Sequence, residues 1–265
     1  MRAALAFRVY QIAAAALAMT TLAAAALAGE RQVVVADPAP GAARPLTGYL
    51  TTPKGAGPFP AVALIHSCLG LPANRAAFAA TLAGWGYAAL YVDEFAPRGL
   101  RETCTVDFPV GPADAAAALA FLARQPSVDA KRLAVVGFSQ GGDVALAVAA
   151  APPLSVGLRA AAAYYPPCAN RQGEALKVPA LILVGAGDSV TPAADCRAFV
   201  ATQAPDRARL VVLPGAEHLF DDPAYAGGKT VMGMHFAYDR EAAGRAEQAL
   251  RRFLAGNLSQ PPNGD

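Results

Sequence analysis

The sequence is poor in charge, in histidine and in tryptophan. Only 16% of its 265 residues are charged, 55% are hydrophobic, and there are three histidines and one tryptophan. So apolar a composition excludes low-complexity disorder. The formal net charge is +2, but Arg2 and Arg8 lie in a segment that we expect to be removed. The remaining chain is neutral, so its charge favours neither nucleic acid nor an anionic membrane surface as a partner.

Beyond the N-terminus, no stretch approaches the ~20 apolar residues of a transmembrane helix. At the N-terminus, Arg2 and Arg8 precede an apolar run at 12–28 that ends in Ala-Leu-Ala. This pattern predicts a signal peptide, 1–28, cleaved after Ala28. An uncleaved anchor is the alternative, although alanine gains little on transfer to lipid. We therefore expect an exported protein, periplasmic or secreted, that is not stably inserted in a membrane after cleavage.

The sequence has no Cys-x-x-Cys pair and no histidine at ligand spacing from two cysteines, which argues against a zinc site. Its four cysteines are Cys68, Cys104, Cys168 and Cys196. In an oxidising compartment an even set of cysteines predicts disulfides. Four cysteines allow three pairings, and their spacing alone does not choose among them.

One domain, 29–265, follows the signal peptide, without an internal repeat or a Ser/Gly linker. Short apolar runs alternate with helical patterns, which predicts an α/β fold with a mostly parallel central sheet covered by helices on both faces. We predict strands at 32–36, 48–52, 61–66, 87–92, 132–137, 160–165, 179–184 and 209–213, and helices at 73–84, 112–124, 140–151, 192–203 and 238–255. Such sheets carry their sites at the carboxyl ends of the strands.

The sharpest motif is Gly-x-Ser-x-Gly at 137–141, placed between an apolar strand and a helix. In that context the serine lies on a sharp turn that exposes its hydroxyl, and glycines are needed because side chains beside it would collide with strand and helix. Ser139 is therefore the predicted nucleophile.

A serine hydroxyl needs a base, and the base needs a carboxylate that orients it. His218 follows the last predicted strand, and Asp188 follows the strand at 179–184. The order serine, aspartate, histidine is that of an α/β hydrolase. Asp143, Asp221 and Asp222 are weaker candidates: the first lies on the nucleophile helix, and the other two are close to His218 in sequence.

An oxyanion hole needs two backbone N–H donors. The residue after the nucleophile, Gln140, is one candidate. The second is Cys68 or Leu69, in the loop that follows the third strand. His66 ends that strand and is either a pocket residue or part of the turn.

With these residues in place, the chain resembles the dienelactone hydrolase family of α/β hydrolases over about 61–254. The matching segments are His-Ser-Cys-Leu-Gly-Leu at 66–71, Asp-Glu-Phe-Ala-Pro-Arg-Gly at 93–99, Gly-Phe-Ser-Gln-Gly-Gly at 137–142, Gly-Asp at 187–188 and Glu-His-Leu-Phe at 217–220. Characterised members use cysteine as the nucleophile, whereas this chain has Ser139. The resemblance therefore implies a broader esterase or lactonase rather than an enzyme for dienelactone itself.

Two further expectations follow from the loops that this resemblance aligns. Arg98 is a candidate clamp for a substrate carboxylate, since a guanidinium binds carboxylate in a bidentate way; a structural ion pair with Asp93 or Glu94 is the alternative. Placement of the cysteines after neighbouring strands suggests that Cys68 pairs with Cys104, and likewise the other two with each other.

The function predicted from these residues is hydrolysis of a small carboxylic ester or lactone through an acyl-enzyme, without a metal or an organic cofactor. A peptidase of the prolyl-oligopeptidase-like type is an alternative, although no propeller or large cap domain is evident. A catalytically inactive binding protein on the same fold is another. The sequence leaves the oligomeric state open.

Overall fold

The computed structural model describes residues 29–38, 45–106, 108, 111–153 and 156–258. The predicted signal peptide, 1–28, lies outside these residues. No helix of the described chain is long and apolar enough to cross a membrane.

An eight-stranded sheet forms the centre of the described chain. Its spatial order is β1-β2-β4-β3-β5-β6-β7-β8, and all pairs are parallel except β1–β2 and β2–β4. The strands are β1 Glu30–Val35, β2 Leu46–Thr51, β3 Phe59–Ile65, β4 Ala88–Asp93, β5 Val128–Phe138, β6 Leu158–Tyr164, β7 Ala180–Gly185 and β8 Ala208–Leu213. The central strands are Ala/Val/Leu-rich and buried, as expected for strands covered on both faces.

Helices cover both faces of this sheet and divide the core into two layers. Residues of α2 Gly111–Ala123, α3 Gln140–Ala150 and α4 Ala193–Ala201 pack in one layer. Residues of α1 Arg75–Gly84 and α5 Arg240–Leu258 pack in the other. The helices connect the parallel strands, so the loops that leave the strands' carboxyl ends gather along one edge of the sheet.

The predicted α/β fold and its eight strands and five α-helices are confirmed in the described chain, with two differences. β5 begins four residues before the predicted strand, because its first half carries Asp129, Lys131 and Arg132 and lacks an apolar run. A hairpin of β9 Lys229–Val231 and β10 Met234–Phe236 lies where we predicted no strand. Each of its strands has three residues, too few to show an alternating pattern.

Candidate active site

Ser139 lies at the tight turn between β5 and α3. Its backbone has φ 53° and ψ −114°, a left-handed conformation that is costly for a residue with a side chain. A Cβ on Gly137 would lie 1.8 Å from the Gly141 carbonyl oxygen, and a Cβ on Gly141 would lie 2.3 Å from that of Ile65. Both glycines of the motif are therefore required by close backbone approach, as the sequence predicted.

Three side chains from separate loops form one hydrogen-bonded row. His218 Nε2 lies 2.9 Å from Ser139 Oγ, and His218 Nδ1 lies 2.8 Å from Asp188 Oδ2. An ionised carboxylate only accepts hydrogen bonds, which assigns the imidazole proton to Nδ1 and leaves Nε2 to accept from the serine. All three residues are buried. The structure thus brings together the three residues that the sequence predicted as nucleophile, base and carboxylate.

Thr191 fixes the carboxylate and was missed by the sequence reasoning. Its hydroxyl lies 2.8 Å from Asp188 Oδ2, 3.0 Å from the Tyr165 carbonyl oxygen and 3.2 Å from His218 Nδ1. The backbone N–H groups of Val190 and Thr191 donate to Asp188 Oδ1 at 2.9 and 2.8 Å. Because aspartate often accepts from the next residues of a turn, the Asp-x-x-Thr spacing was the available signal.

Aromatic rings enclose the histidine. The Tyr165 ring is centred 4.6 Å from the His218 ring, and the Phe236 ring 5.6 Å from it. β10 also forms a bridge to the histidine, and the Ala237 N–H donates to the His218 carbonyl at 3.2 Å. Tyr165 and Leu219 both have positive φ, 38° and 58°. Backbone strain of this kind concentrates at functional sites, and here it flanks the histidine.

The candidate oxyanion loop, 66–71, is closed by its own hydrogen bonds. The Leu69 N–H donates to Ser67 Oγ at 3.2 Å, and the Gly70 N–H donates to the Ser67 carbonyl at 3.0 Å. The Leu69 N–H is therefore already engaged, which favours the Cys68 N–H as the oxyanion donor from this loop. Gln140 is the first residue of α3, where backbone N–H groups lack intrahelical acceptors.

The structure joins Cys68 to Cys104 and Cys168 to Cys196 by disulfides, and it describes no free cysteine. This is the pairing suggested by the loop placement. The Thr103 N–H donates to the Cys68 carbonyl at 2.9 Å, so a covalent and a hydrogen bond tie the oxyanion loop to the segment after β4.

His66 is buried, and protein groups contact both of its ring nitrogens. Nδ1 lies 2.8 Å from the Ser67 carbonyl, and the Glu94 N–H donates to Nε2 at 3.2 Å. Burial lowers the pKa of His66, which keeps the ring neutral. The residue shapes the turn, and its ring also lines a cavity described below.

Arg98 is engaged by two carboxylates that the sequence reasoning did not name. Its guanidinium lies 2.6 Å from Asp37 Oδ1 and 2.8 Å from Asp114 Oδ1, and it donates to the Glu94 carbonyl at 3.0 Å. The expected partners, the Asp93 or Glu94 carboxylates, are wrong: Asp93 Oδ1 accepts backbone N–H groups instead. With its donors occupied, Arg98 gains no support from the geometry as a substrate clamp.

Two openings lie near the nucleophile turn. A cleft of about 610 Å³ contains Ser139, Gln140, Cys68 and the hairpin residue Met234 in its wall. A smaller cavity of about 230 Å³ lies on the α1 side, lined by Ser67, Leu69, Phe138, Tyr165 and Leu219 among others. Complete ligand pockets measure about 300–1,000 Å³, so the cleft accommodates a small organic ester and the cavity only one end of a ligand.

This sheet order, with a serine at a strand-to-helix turn beside a histidine after the last strand, is the architecture of the α/β hydrolases. Residues 46–258 match the sequence model of the dienelactone hydrolase family. The chain belongs to that family.

Known proteins agree with this assignment at the level of the fold. A dienelactone hydrolase-like promiscuous phosphotriesterase from metagenomic libraries has a TM-score of 0.70 at 24% identity, covering 86% of this chain and 98% of its own. An esterase of Thermogutta terrifontis has a TM-score of 0.67 at 20% identity, covering 89% and 95%. Identities this low show a shared fold and carry no information about the substrate.

A match among curated proteins is to a Mycobacterium tuberculosis protein named "Putative phosphoribosyl transferase". The chain is 30% identical to it over 203 residues, which cover 74% of this chain and 43% of that protein. The chain therefore spans less than half the length of this relative.

Proposed function

We propose that the chain is a serine carboxylesterase or lactonase in which Ser139 is acylated by the substrate. His218 takes the serine proton as the hydroxyl attacks the carbonyl carbon, then returns it to the leaving alcohol. In the second half-reaction the same imidazole deprotonates water as the water attacks the acyl carbon, and it then returns that proton to Ser139 Oγ as the acyl–oxygen bond breaks and the acid leaves. Asp188 orients the imidazole and stabilises its cation. No step requires a metal or organic cofactor.

The observation that carries this proposal is the 2.9 Å approach of His218 Nε2 to Ser139 Oγ across 79 residues of sequence. A serine and a histidine that met by accident would not also have the carboxylate at 2.8 Å on the far nitrogen. The negative charge of the tetrahedral intermediate would develop beside the N-terminus of α3 and the Gln140 and Cys68 N–H groups, which favours it electrostatically.

The test is hydrolysis of p-nitrophenyl acetate and butyrate by residues 29–265. We expect Ser139→Ala to lose about 10³-fold or more in kcat. Ser127→Ala is the matched control, because Ser127 precedes β5 at the opposite edge of the sheet, and it should retain activity. A fluorophosphonate probe should label the wild type and not the Ser139 variant. Equal and feeble rates for all three folded proteins on these esters and on lactones would refute the proposal.

We propose further that the protein is exported after cleavage at Ala28. The two disulfides are compatible with an oxidising compartment. N-terminal sequencing of the protein recovered from periplasmic and culture fractions should begin at Gly29. Recovery of the whole chain from the cytosol with reduced thiols would contradict this expectation.

A further inference from the structure

The smaller cavity contains two carboxylates with no basic partner. Asp221 and Asp222 lie in its wall, and within the described ranges neither is within ion-pair distance of a lysine, arginine or histidine. Asp221 Oδ1 accepts from the Tyr165 hydroxyl at 2.7 Å, and Asp222 Oδ1 accepts from the Ala224 N–H at 3.0 Å. These neutral donors leave the negative charge of both side chains uncompensated.

The phenol of Tyr91 lines the same cavity. Tyr91 lies on β4 and is 1% exposed. Its hydroxyl has no hydrogen-bond partner among the residues that the structure describes, although buried tyrosine hydroxyls usually find one. Burial, together with the nearby negative charge of Asp221 and Asp222, raises the pKa of Tyr91 well above its usual value. The phenol therefore stays protonated and is available to a ligand.

Most of the remaining wall is apolar and aromatic, with His66, Ser67 and Asn74 as its other polar residues. Phe78, Phe138 and Tyr225 line it together with the tyrosines already named. Aromatic faces attract cations, and the carboxylates also attract them. A neutral alkyl group would satisfy the rings but would leave two carboxylates desolvated, and an anion would be repelled.

The cavity adjoins the residues proposed to react. Phe138 precedes Ser139, Leu219 follows His218, and the Tyr165 ring lies both against the His218 ring and in the cavity wall. Because the cavity is too small for a complete ligand, it has room for only one end of a molecule.

We propose that this cavity is a cation subsite, and that the preferred substrates are small esters carrying an alkylammonium group. The inference rests on the proposed esterase function. Asp221 and Asp222 supply the charge, the aromatic rings supply the walls, and the Tyr91 hydroxyl supplies a dipole. Hydrolysis itself proceeds on Ser139 as above, and the ammonium group takes no part in bond making.

Two esters that differ only in charge test this directly. Acetylcholine carries a quaternary nitrogen where 3,3-dimethylbutyl acetate has a carbon, so their ratio of kcat/KM isolates the charge. We expect the wild type to favour acetylcholine by about tenfold or more. In Asp221→Asn/Asp222→Asn the ratio of the two kcat/KM values should fall close to one. Asp206→Asn, a control at an exposed aspartate, should keep the preference.

A binding measurement separates this proposal from the function on which it rests. Calorimetry with phenyltrimethylammonium on Ser139→Ala should show binding that is lost when Asp221→Asn and Asp222→Asn are added. If p-nitrophenyl acetate is hydrolysed but the two acetates react equally, the cation subsite is refuted and the esterase stands. If no ester reacts, binding of phenyltrimethylammonium that depends on both aspartates supports the subsite, and absence of binding overturns it.

Discussion

Replacing Thr191 with valine tests whether the threonine hydroxyl, rather than the backbone alone, holds the proposed catalytic carboxylate. Valine keeps the shape and removes the donor that lies 2.8 Å from Asp188 Oδ2 and 3.0 Å from the Tyr165 carbonyl. A hydrogen bond to a charged group contributes about 1.5–3 kcal/mol, and buried groups left unpaired cost about 1–3 kcal/mol. The backbone donors to Asp188 Oδ1 remain, so the carboxylate should loosen rather than leave.

We expect Thr191→Val to lose about 1–3 kcal/mol of unfolding free energy. We also expect kcat for p-nitrophenyl acetate to fall about tenfold, which corresponds to about 1.4 kcal/mol of transition-state stabilisation. KM should change little, because the side chain orients Asp188 and His218 rather than the ester. Thr191→Ser, which keeps the hydroxyl, should recover most of kcat. If the valine variant were less stable yet retained full kcat, the backbone donors would suffice and the assigned role would be wrong.

Three further changes have defined outcomes. Gly141→Ala places a Cβ 2.3 Å from a backbone carbonyl oxygen and should lower the melting temperature steeply or prevent folding. Gly244→Ala on α5 is the control: its added Cβ would have no neighbouring atom within 4 Å, so the variant should gain up to about 1 kcal/mol of stability. Equal melting temperatures would contradict the steric argument. Replacing Cys68 and Cys104 by serine removes a crosslink spanning 36 residues and should cost about 3–4 kcal/mol in denaturant unfolding and also lower kcat; unchanged kcat would exclude this loop from the oxyanion hole. Burial raises the pKa of Asp221 from 3.8 to about 6, so the stability that its protonated form allows is fully present below pH 4 and is lost as the pH rises through 6. The free energy of unfolding of Asp221→Asn, from denaturant titrations, should therefore equal that of the wild type near pH 4 and exceed it by about 2 kcal/mol at pH 8. A parallel pH dependence of the two proteins would refute this.

The fold and the three central residues could be predicted because each has a local signature. Buried parallel strands are continuous apolar runs, and Gly-x-Ser-x-Gly reports a turn whose steric demands the glycine contacts now explain. Asp188 and His218 were found because the loop that follows a parallel strand lies at the sheet's carboxyl edge. These inferences need only the order of elements along the chain.

Other features depend on which loops meet, and the sequence pattern does not contain that information. Arg98 finds Asp37, 61 residues away, and Asp114, whereas adjacency in sequence pointed to Asp93 and Glu94. The Leu69 N–H donates to Ser67 Oγ, and a hydrogen bond within a loop leaves no periodic pattern in the sequence. The β9–β10 hairpin packs against His218, but its strands are too short to show an alternating pattern in the sequence.

The charge of Asp221 serves the proposed binding site but lowers the stability of the fold. The sequence offered it only as a weak candidate for orienting His218; the structure turns it toward Tyr165 and the smaller cavity instead. A partly desolvated carboxylate without a basic partner costs stability at neutral pH, and asparagine would keep the hydrogen bond from Tyr165 while avoiding that cost. Proteins retain destabilising charged groups chiefly where binding or catalysis uses them. A ligand of opposite charge that compensates Asp221 would therefore explain why the carboxylate is present. The unpaired charge of Asp221 should therefore underlie both the stability gained by Asp221→Asn at pH 8 and, together with that of Asp222, the ammonium preference lost in the double variant.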